Sequence, residues 1–194
     1  MFAPAPASKA GAGANMQRDP ENIYWWRRPS LRLESQAVRD SILSLAGTLD
    51  LTMSGPPIQP AQQAASRRRS LYFFHSNNSR NLFLRMFDEA LVKECYRRDA
   101  SIVPQQALAL SNSSLVLESA GQIAARLSEQ GPEEEAFIKD AFAAILGIEV
   151  AAAEMKASIE ALSEWKKLPN TNDLTARTHL VWVLLNHNDF VTVR

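Results

Sequence analysis

The sequence predicts a mainly α-helical fold: a domain of about five to six helices with one short extended segment near residues 70–75. Apolar residues recur at helical spacing through most of the chain. Gly, Pro and Asn residues separate these stretches and suit the ends of helices joined by short connections. Only the run from Ser70 to His75 is rich in strand-forming residues, and no second strand is evident to pair with it.

The N-terminal third of the chain divides into a leader, a helix and a linker. Residues 1–16 are small, rich in Pro and Gly, and lack the apolar stretch of a secretory signal, which predicts a disordered leader. A single helical domain is expected over 17–194, because 194 residues with 46% hydrophobic content are enough for one real core. Its first amphipathic helix has an apolar face from Leu33 to Leu45. A Pro-rich linker follows at about 51–69, where proline rings fix backbone angles and remove hydrogen-bond donors.

The middle of the chain contains the extended segment and the next helices. The segment at 70–75 is expected to pack on helices, and a turn at 77–79 leads into a short helix over 81–87. That helix is expected to bury four apolar side chains: Leu82, Phe83, Met86 and Phe87. Pro104 suits the first turn of the following helix, whose apolar stripe includes Leu108 and continues to about Ser128 with a break at 112–114.

Three helices are predicted in the C-terminal part. The first begins at Pro132, which fits the first helical position, and ends at Gly147. The second runs over about 149–167 and ends in a Lys pair at the negative end of the helix dipole. The last is capped by Thr171 or Asn172 and ends at 186–188.

The charge and apolar content exclude several classes of protein. Lys plus Arg equal Asp plus Glu at 21 each, and Arg67-Arg68-Arg69 is the only run of three basic residues. A nucleic-acid-binding protein carries a clustered basic face, so no nucleic-acid partner is predicted. No apolar run is long enough to cross a bilayer, so no membrane span is predicted. The single Cys95 excludes an internal disulfide and leaves either a buried apolar thiol or a reactive one.

The stretch from His75 to Arg98 carries the candidate chemistry, because acids, a His and a thiol are the ingredients of acid–base or nucleophilic catalysis. The candidate catalytic residues are His75, Asp88 and Cys95, and the candidate binding residues are Arg80, Glu94, Arg97 and Arg98. Three interpretations stay open. They are a structural network in which Arg side chains neutralise the acids, a pocket for an anionic ligand, and catalysis with a Cys–His pair.

Three further features have a structural interpretation, and two of them also have a functional one. His187 lies beside Asp189 but lacks the further donors of a closed metal site, so no metal is predicted and an interaction with a helix C-terminus is favoured. His179 is expected to be a partly buried imidazole inside a helix. The group Trp25-Trp26-Arg27-Arg28 either stacks on sugar rings or forms an edge of the core covered by Arg side chains.

Several multi-residue motifs occur in an order that resembles a known family. They are Asp19-Pro20-Glu21-Asn22, Trp26-Arg27-Arg28-Pro29, Leu33 to Asp40, Gly47-Thr48-Leu49-Asp50, Phe74-His75-Ser76, Phe87-Asp88, Glu94 to Arg98, Ile102 to Leu108 and Leu184 to Val191. Through these motifs, residues 17–194 resemble the C-terminal part of the planctomycete-type domain of unknown function 1553, the PSD type.

The resemblance implies a setting without a mechanism, because the activity of the family is not established. Similar proteins carry the first part of the same domain, a companion domain and often an N-terminal cytochrome-c-like haem domain with an export signal. The chain therefore resembles the C-terminal portion of a larger multidomain protein, with those N-terminal domains as partners and an exported, periplasmic or cell-surface location. No Cys-x-x-Cys-His motif occurs, so no cofactor is predicted in this chain and haem is expected only on the N-terminal domains.

Two functions from different classes follow. The first is a non-catalytic interaction or scaffold module of a cytochrome-associated protein, resembling those placed near polysaccharide-degrading systems. The second is an enzyme, or a domain that binds an anionic or carbohydrate ligand, with a site around residues 70–98. They differ in whether His75, Asp88, Cys95 and Arg98 share a solvent-reachable cleft.

Overall fold

The computed structural model describes residues 9–27, 31–76, 78–87 and 103–193. In this part of the chain the fold is mainly α-helical, which confirms the predicted class. The helices are α1 (Lys9–Arg18), α2 (Ser35–Leu45), α3 (Pro60–Gln63), α4 (Leu82–Met86), α5 (Val103–Asn112), α6 (Ser114–Gln130), α7 (Glu134–Ala141), α8 (Ala152–Lys166) and α9 (Asp173–Leu185). A π-helical turn, Phe142–Leu146, extends α7, and two 3-10 turns lie at Ser70–Tyr72 and Asn188–Val191.

The core is built around the packing of α6 against α9. On α6, the small residues Ala120 and Ala124 are fully buried, and small side chains suit a close approach of helices. On α9, Val181 and Leu185 are fully buried and belong to the same core cluster. Each fully buried aliphatic side chain contributes about 1.5–3 kcal/mol to the stability of the fold.

Three helix boundaries confirm predictions made from the sequence. Ser113 separates α5 from α6, inside the predicted break at 112–114. The Asn172 side chain caps α9 by accepting a hydrogen bond from the Thr175 amide at 2.8 Å. Gly147 ends the π-helical turn with φ of +67°, a left-handed conformation that favours glycine.

The strand-rich run does not form the simple extended segment that the sequence predicted. Ser70–Tyr72 is a 3-10 turn, and only Phe73 pairs with another segment, through a parallel bridge to Ile58. Two hydrogen bonds make this bridge, from the Ile58 amide to the Tyr72 carbonyl at 2.8 Å and from the Phe74 amide to the Ile58 carbonyl at 2.9 Å. The partner of the run therefore lies in the Pro-rich linker, where no strand pattern is visible.

The short two-stranded sheet of the described residues lies elsewhere. Strands β1 (Leu31–Arg32) and β2 (Thr192–Val193) are antiparallel, with Leu31 opposite Val193 and Arg32 opposite Thr192. The Leu33 amide continues the contact by donating to the Val191 carbonyl at 2.8 Å. This pairing holds the chain just before α2 against the chain just after α9.

Helix α1 lies over Lys9–Arg18 and includes the second half of the stretch predicted as a leader. Two predicted burials need correction. Leu82, predicted to be buried, is 68% exposed, because α4 turns Leu84 and Phe87 toward the core instead. Leu108, placed in the apolar stripe of the following helix, is 63% exposed.

Four charged side chains join α7, α8 and α9 at one end of the bundle. Lys166 lies 2.5 Å from a Glu134 carboxylate oxygen and 2.7 Å from one of Asp173. The hydrogen bonds that Lys166 donates to Asp173 and, with a smaller effect, to Glu134 raise the pKa of Lys166. The bond between Lys166 and Asp173 also lowers the pKa of the Asp173 carboxyl. Buried Arg177 lies 2.8 Å from Asp173 and donates to the Pro132 carbonyl at 2.6 Å. These contacts fix the starts of α7 and α9 to the end of α8.

Candidate interaction site

The residues of the candidate site at 70–98 fall into two groups. His75 and Arg80 are described and both are half-buried. Asp88, Glu94, Cys95, Arg97 and Arg98 lie in 88–102, outside the described residues. The proposed pairing of His75 with Cys95 therefore stays a prediction.

The segment that carries His75 is held in place by a buried glutamine. Gln63 is 3% exposed and its amide nitrogen donates to the carbonyls of Ile58 at 3.2 Å and Phe74 at 3.0 Å. Its amide oxygen accepts from the Asn81 side chain at 3.2 Å, and Asn81 in turn caps α4 through the Leu84 amide. One side chain thus ties the linker, the segment before His75 and the start of α4 together.

A buried arginine holds the preceding loop. Arg39 on α2 is 3% exposed and donates to the carbonyls of Ser66 and Arg68 and to the Ser70 hydroxyl. Its guanidinium lies 4.6 Å from the centre of the Phe73 ring. Burial lowers the pKa of Arg39, and the neighbouring Asp40 partly opposes that shift. The Asp40 carboxylate accepts hydrogen bonds from the amide and hydroxyl of Ser70 at 2.9 and 2.6 Å.

A second arginine holds the loop at 51–57. The Arg68 guanidinium lies 4.1 Å from the centre of the Tyr72 ring and donates to the carbonyls of Thr52 and Ser54. The Tyr72 hydroxyl accepts from the Ser54 amide at 3.1 Å. The polar groups of Arg68, Ser70 and Tyr72 therefore hold neighbouring segments of the chain together.

The histidines of α9 and the chain after it have structural contacts. The His187 ring accepts a hydrogen bond at Nδ1 from the Asp189 amide at 3.2 Å, which caps the 3-10 turn that follows it. His179 is half-buried and contacts Trp165 edge to face, with the ring centres 5.6 Å apart. Across the described ranges, no group of three or more His, Cys, Asp or Glu side chains is placed to hold a metal ion.

The loop from Asp19 to Arg27, called here the aromatic loop, carries three consecutive exposed apolar side chains. Tyr24 is 84% exposed, Trp25 is 80% exposed and Ile23 is 66% exposed. Trp26 is different, because its ring is half-buried beneath the Arg27 guanidinium at 5.3 Å. The prediction of an apolar edge covered by Arg side chains therefore describes Trp26 but not Trp25.

Hydrogen bonds fix the backbone of the aromatic loop. The buried Asp19 carboxylate accepts from the amides of Ile23 and Tyr24, both at 2.9 Å, and the Asp19 carbonyl accepts from the Trp26 indole at 2.8 Å. The Asn22 side chain both donates to the Arg27 carbonyl and accepts from the Arg27 amide. Because these bonds cross the base of the loop, its exposed side chains stand on an ordered backbone.

Trp25 has a left-handed backbone, with φ of +54°. A bulky residue in that conformation costs about 1–3 kcal/mol, and such strain persists only where the surroundings impose it. Here the hydrogen bonds of Asp19 and Asn22 on either side impose it, and they leave the Trp25 ring in solvent. The strained backbone therefore presents the Trp25 ring to solvent.

A second exposed apolar surface lies between α4, the end of α5 and the start of α6. This surface, called here the α4–α5 groove, is open to solvent and has a volume of about 760 Å³. Its apolar lining comes from Leu82, Phe83, Met86, Leu108 and Ala109, and Arg85 lies at its edge. The groove was not visible in the sequence, because Leu82 and Leu108 both match the apolar spacing of core residues.

A family model described as PSD1, a protein of unknown function (DUF1553), matches residues 7–162 of the chain, well over half of its length. Neither the curated proteins nor the solved structures contain a match to the sequence. In the part of the chain that the structure describes, no helix is both long enough and apolar enough to span a membrane.

Proposed function

We propose that this chain, which belongs to the DUF1553 family of proteins of unknown function, is a non-catalytic interaction module that binds a protein partner through its aromatic loop. The observation that carries this proposal is the ordered, strained loop that leaves Ile23, Tyr24 and Trp25 in solvent. Burying such side chains against a partner releases the free energy that their hydration costs.

The type of partner follows from the side chains of the loop. Tyr and Trp supply large contact areas with few rotatable bonds, and they are enriched at the centres of protein interfaces. Ile23 adds an aliphatic side chain, which suits an apolar cleft in a protein better than the hydroxyl-covered surface of a sugar. A protein partner is therefore preferred over the carbohydrate that the Trp–Arg group suggested.

The resemblance in the sequence supplies the setting of this proposal. In this setting, the module is the C-terminal portion of a planctomycete-type, exported, cytochrome-associated multidomain protein. The partners are then the N-terminal domains of the same type of protein, and haem is bound by one of those domains.

The test is binding of this chain to the isolated N-terminal domains of a longer protein of the same type, measured by calorimetry. Trp25→Ser should weaken binding by at least about 2 kcal/mol, which is the cost of truncating a central aromatic anchor. Val183→Ser is the matched control, because Val183 is 45% exposed on α9, a helix outside the loop. Equal binding by the two variants, or no binding at all, would refute the proposal.

One observation favours a second function, a ligand site around residues 70–98. The Arg80 Nε is buried and has no hydrogen-bond partner in the described structure. An unsatisfied buried donor of a cation suits an anionic ligand. The test is pH-dependent alkylation of Cys95 in the folded protein: fast labelling with a pKa well below about 8.5 supports a reactive site. Protection of Cys95 until unfolding would count against it.

A further inference from the structure

We propose that residues 51–76, called here the strap, detach and unfold as one cooperative unit while the helical bundle stays folded. The strap contains the Pro-rich linker and the segment that carries His75. It is bound to α2 through Arg39 and Asp40, and to α4 through Leu84. The proposal is independent of the interaction role given above to the aromatic loop.

The strap buries few side chains for its length. Between positions 51 and 76 only Ile58, Gln63, Ser70 and Phe73 are buried, and two of these four are apolar. Helix α6, in contrast, buries six of its 17 residues, and five of the six are apolar. Apolar burial is the main favourable contribution to folding, so the strap is held less strongly per residue than α6.

The apolar contacts of the strap form a small cluster of their own. Ile58 and Phe73 pack with Leu84 of α4, whereas the buried side chains of α6, α7 and α9 belong to the larger core cluster. In the described residues, both clusters contact the half-buried Phe83. Because the two clusters share so little, the small one can come apart while the large one persists, as happens in local unfolding.

Polar contacts supply the attachment of the strap to α2. Arg39 donates to the carbonyls of Ser66 and Arg68 and to the Ser70 hydroxyl, and Asp40 accepts from Ser70. All of these groups can bind water when the strap opens, so each hydrogen bond contributes only a small net free energy. Opening also leaves Arg39 beside an opposite charge, because its guanidinium lies 3.6 Å from Asp40.

Opening changes which parts of the chain other molecules can reach. It exposes Leu84, which is 1% exposed in the closed form, and the buried Arg39 guanidinium. It also frees the backbone at Arg67-Arg68-Arg69, where Arg39 binds the Arg68 carbonyl. A protease cleaves the opened form of such a segment. The strap therefore covers the parts of α2 and α4 that it touches, and its closed form protects a tribasic sequence.

The first experiment is native-state hydrogen exchange of the full chain, measured by mass spectrometry. The protected amides of the strap, which include those of Ile58 and Phe74, should share one opening equilibrium and exchange at least about 30-fold faster than the slowest amides of α6. Exchange of the strap as slowly as α6 would overturn the proposal. A separate rate for each strap amide would also overturn it, because the strap would then not open as one unit.

Two matched variants distinguish opening of the strap from unfolding of the whole chain. Ile138→Val removes a methylene from the main core, which stays intact when only the strap opens. It should speed exchange of the slowest α6 amides about 2- to 10-fold and leave the strap amides unchanged. Ile58→Val weakens the closed form itself, so it should speed exchange in both regions. If Ile138→Val speeds the strap amides as much as those of α6, the strap opens only by global unfolding and the proposal is wrong.

The second experiment is limited digestion with trypsin, which cleaves after Arg. Cleavage at Arg67-Arg68-Arg69 follows the population of the open strap when opening is fast relative to cleavage. Ile58→Val should therefore speed this cleavage about 2- to 10-fold, and Ile138→Val should leave it unchanged. Equal acceleration by the two variants would contradict a separate opening of the strap. Circular dichroism verifies that both variants are folded.

Discussion

Replacing Arg39 by alanine should destabilise the fold more than any other single change of a charged residue described above. Arg39 is 3% exposed, and its guanidinium donates to the Ser66 and Arg68 carbonyls and the Ser70 hydroxyl. Hydrogen bonds from a charged donor are worth about 1.5–3 kcal/mol each. Their contributions do not add in full, because water can bind part of the loop once the side chain is removed. Removing one partner from a buried charged network costs about 3–5 kcal/mol, which is the expected loss.

The assay is urea unfolding followed by circular dichroism, together with thermal unfolding. For a chain of this size, about 2–4 °C of melting temperature is lost per kcal/mol, so Arg39→Ala should lower the midpoint by about 6–20 °C. The matched control is Arg126→Ala, because Arg126 is exposed and its contact with the Ser44 carbonyl is long, at 3.5 Å. That variant should change stability by less than about 0.5 kcal/mol.

A further variant separates charge from geometry. Arg39→Lys keeps the positive charge but loses the planar fork that reaches three acceptors at once. It should lie between the wild type and Arg39→Ala. A loss below about 1 kcal/mol in Arg39→Ala would show that the contacts of Arg39 do not hold the linker, and would refute the reasoning.

Three other substitutions test local features of the C-terminal helices. The hydrogen bond from Lys166 lowers the folded-state pKa of Asp173 below its ordinary 3.8, so the stability that Asp173 contributes is present above that pH and is lost as pH falls through the folded pKa. Asp173→Asn should therefore reduce the loss of unfolding free energy between pH 7 and pH 3, measured by urea unfolding, by about 0.5 kcal/mol or less, because the carboxylate is about half exposed. Asn172→Ala removes the cap of α9 and should lower the free energy of unfolding by about 0.5–2 kcal/mol, whereas Thr171→Ala should change it little. Equal effects of the two variants would show that Asn172 is not the cap. Gly147→Ala meets no neighbouring atom but must adopt φ of +67°, so it should cost about 1–2 kcal/mol in thermal unfolding, and no loss would contradict the strain argument.

The sequence predicted helices well wherever local chemistry decides their ends. The break at Ser113, the cap at Asn172 and the stop at Gly147 each depend on residues within one helical turn. Residues 70–75 were harder, because Phe73 pairs with Ile58 across the linker, and that partner shows no strand pattern. Tertiary pairing decided their conformation, and a local propensity cannot report it.

The candidate site was only partly accessible to sequence reasoning. The Trp–Arg group at 25–28 was recognised, but neither the exposure of Tyr24 nor the left-handed backbone of Trp25 follows from residue type. The signal that could have indicated the loop is the turn-forming Asp19-Pro20-Glu21-Asn22 followed by apolar residues without helical spacing. Leu82 and Leu108 match core positions by spacing, so the groove required the structure.

The pairing of β1 with β2 has a consequence for how the chain folds as it is synthesised. Arg32 finds its partner only when Thr192 has left the ribosome, although α2 begins three residues after Arg32. Helices α6 to α8 can assemble earlier, but β1 stays unpaired until nearly the whole described chain has emerged. Closing so long a loop costs conformational entropy that four residues of strand repay only after the core has formed. Hydrogen exchange during refolding should therefore protect the β1–β2 amides last.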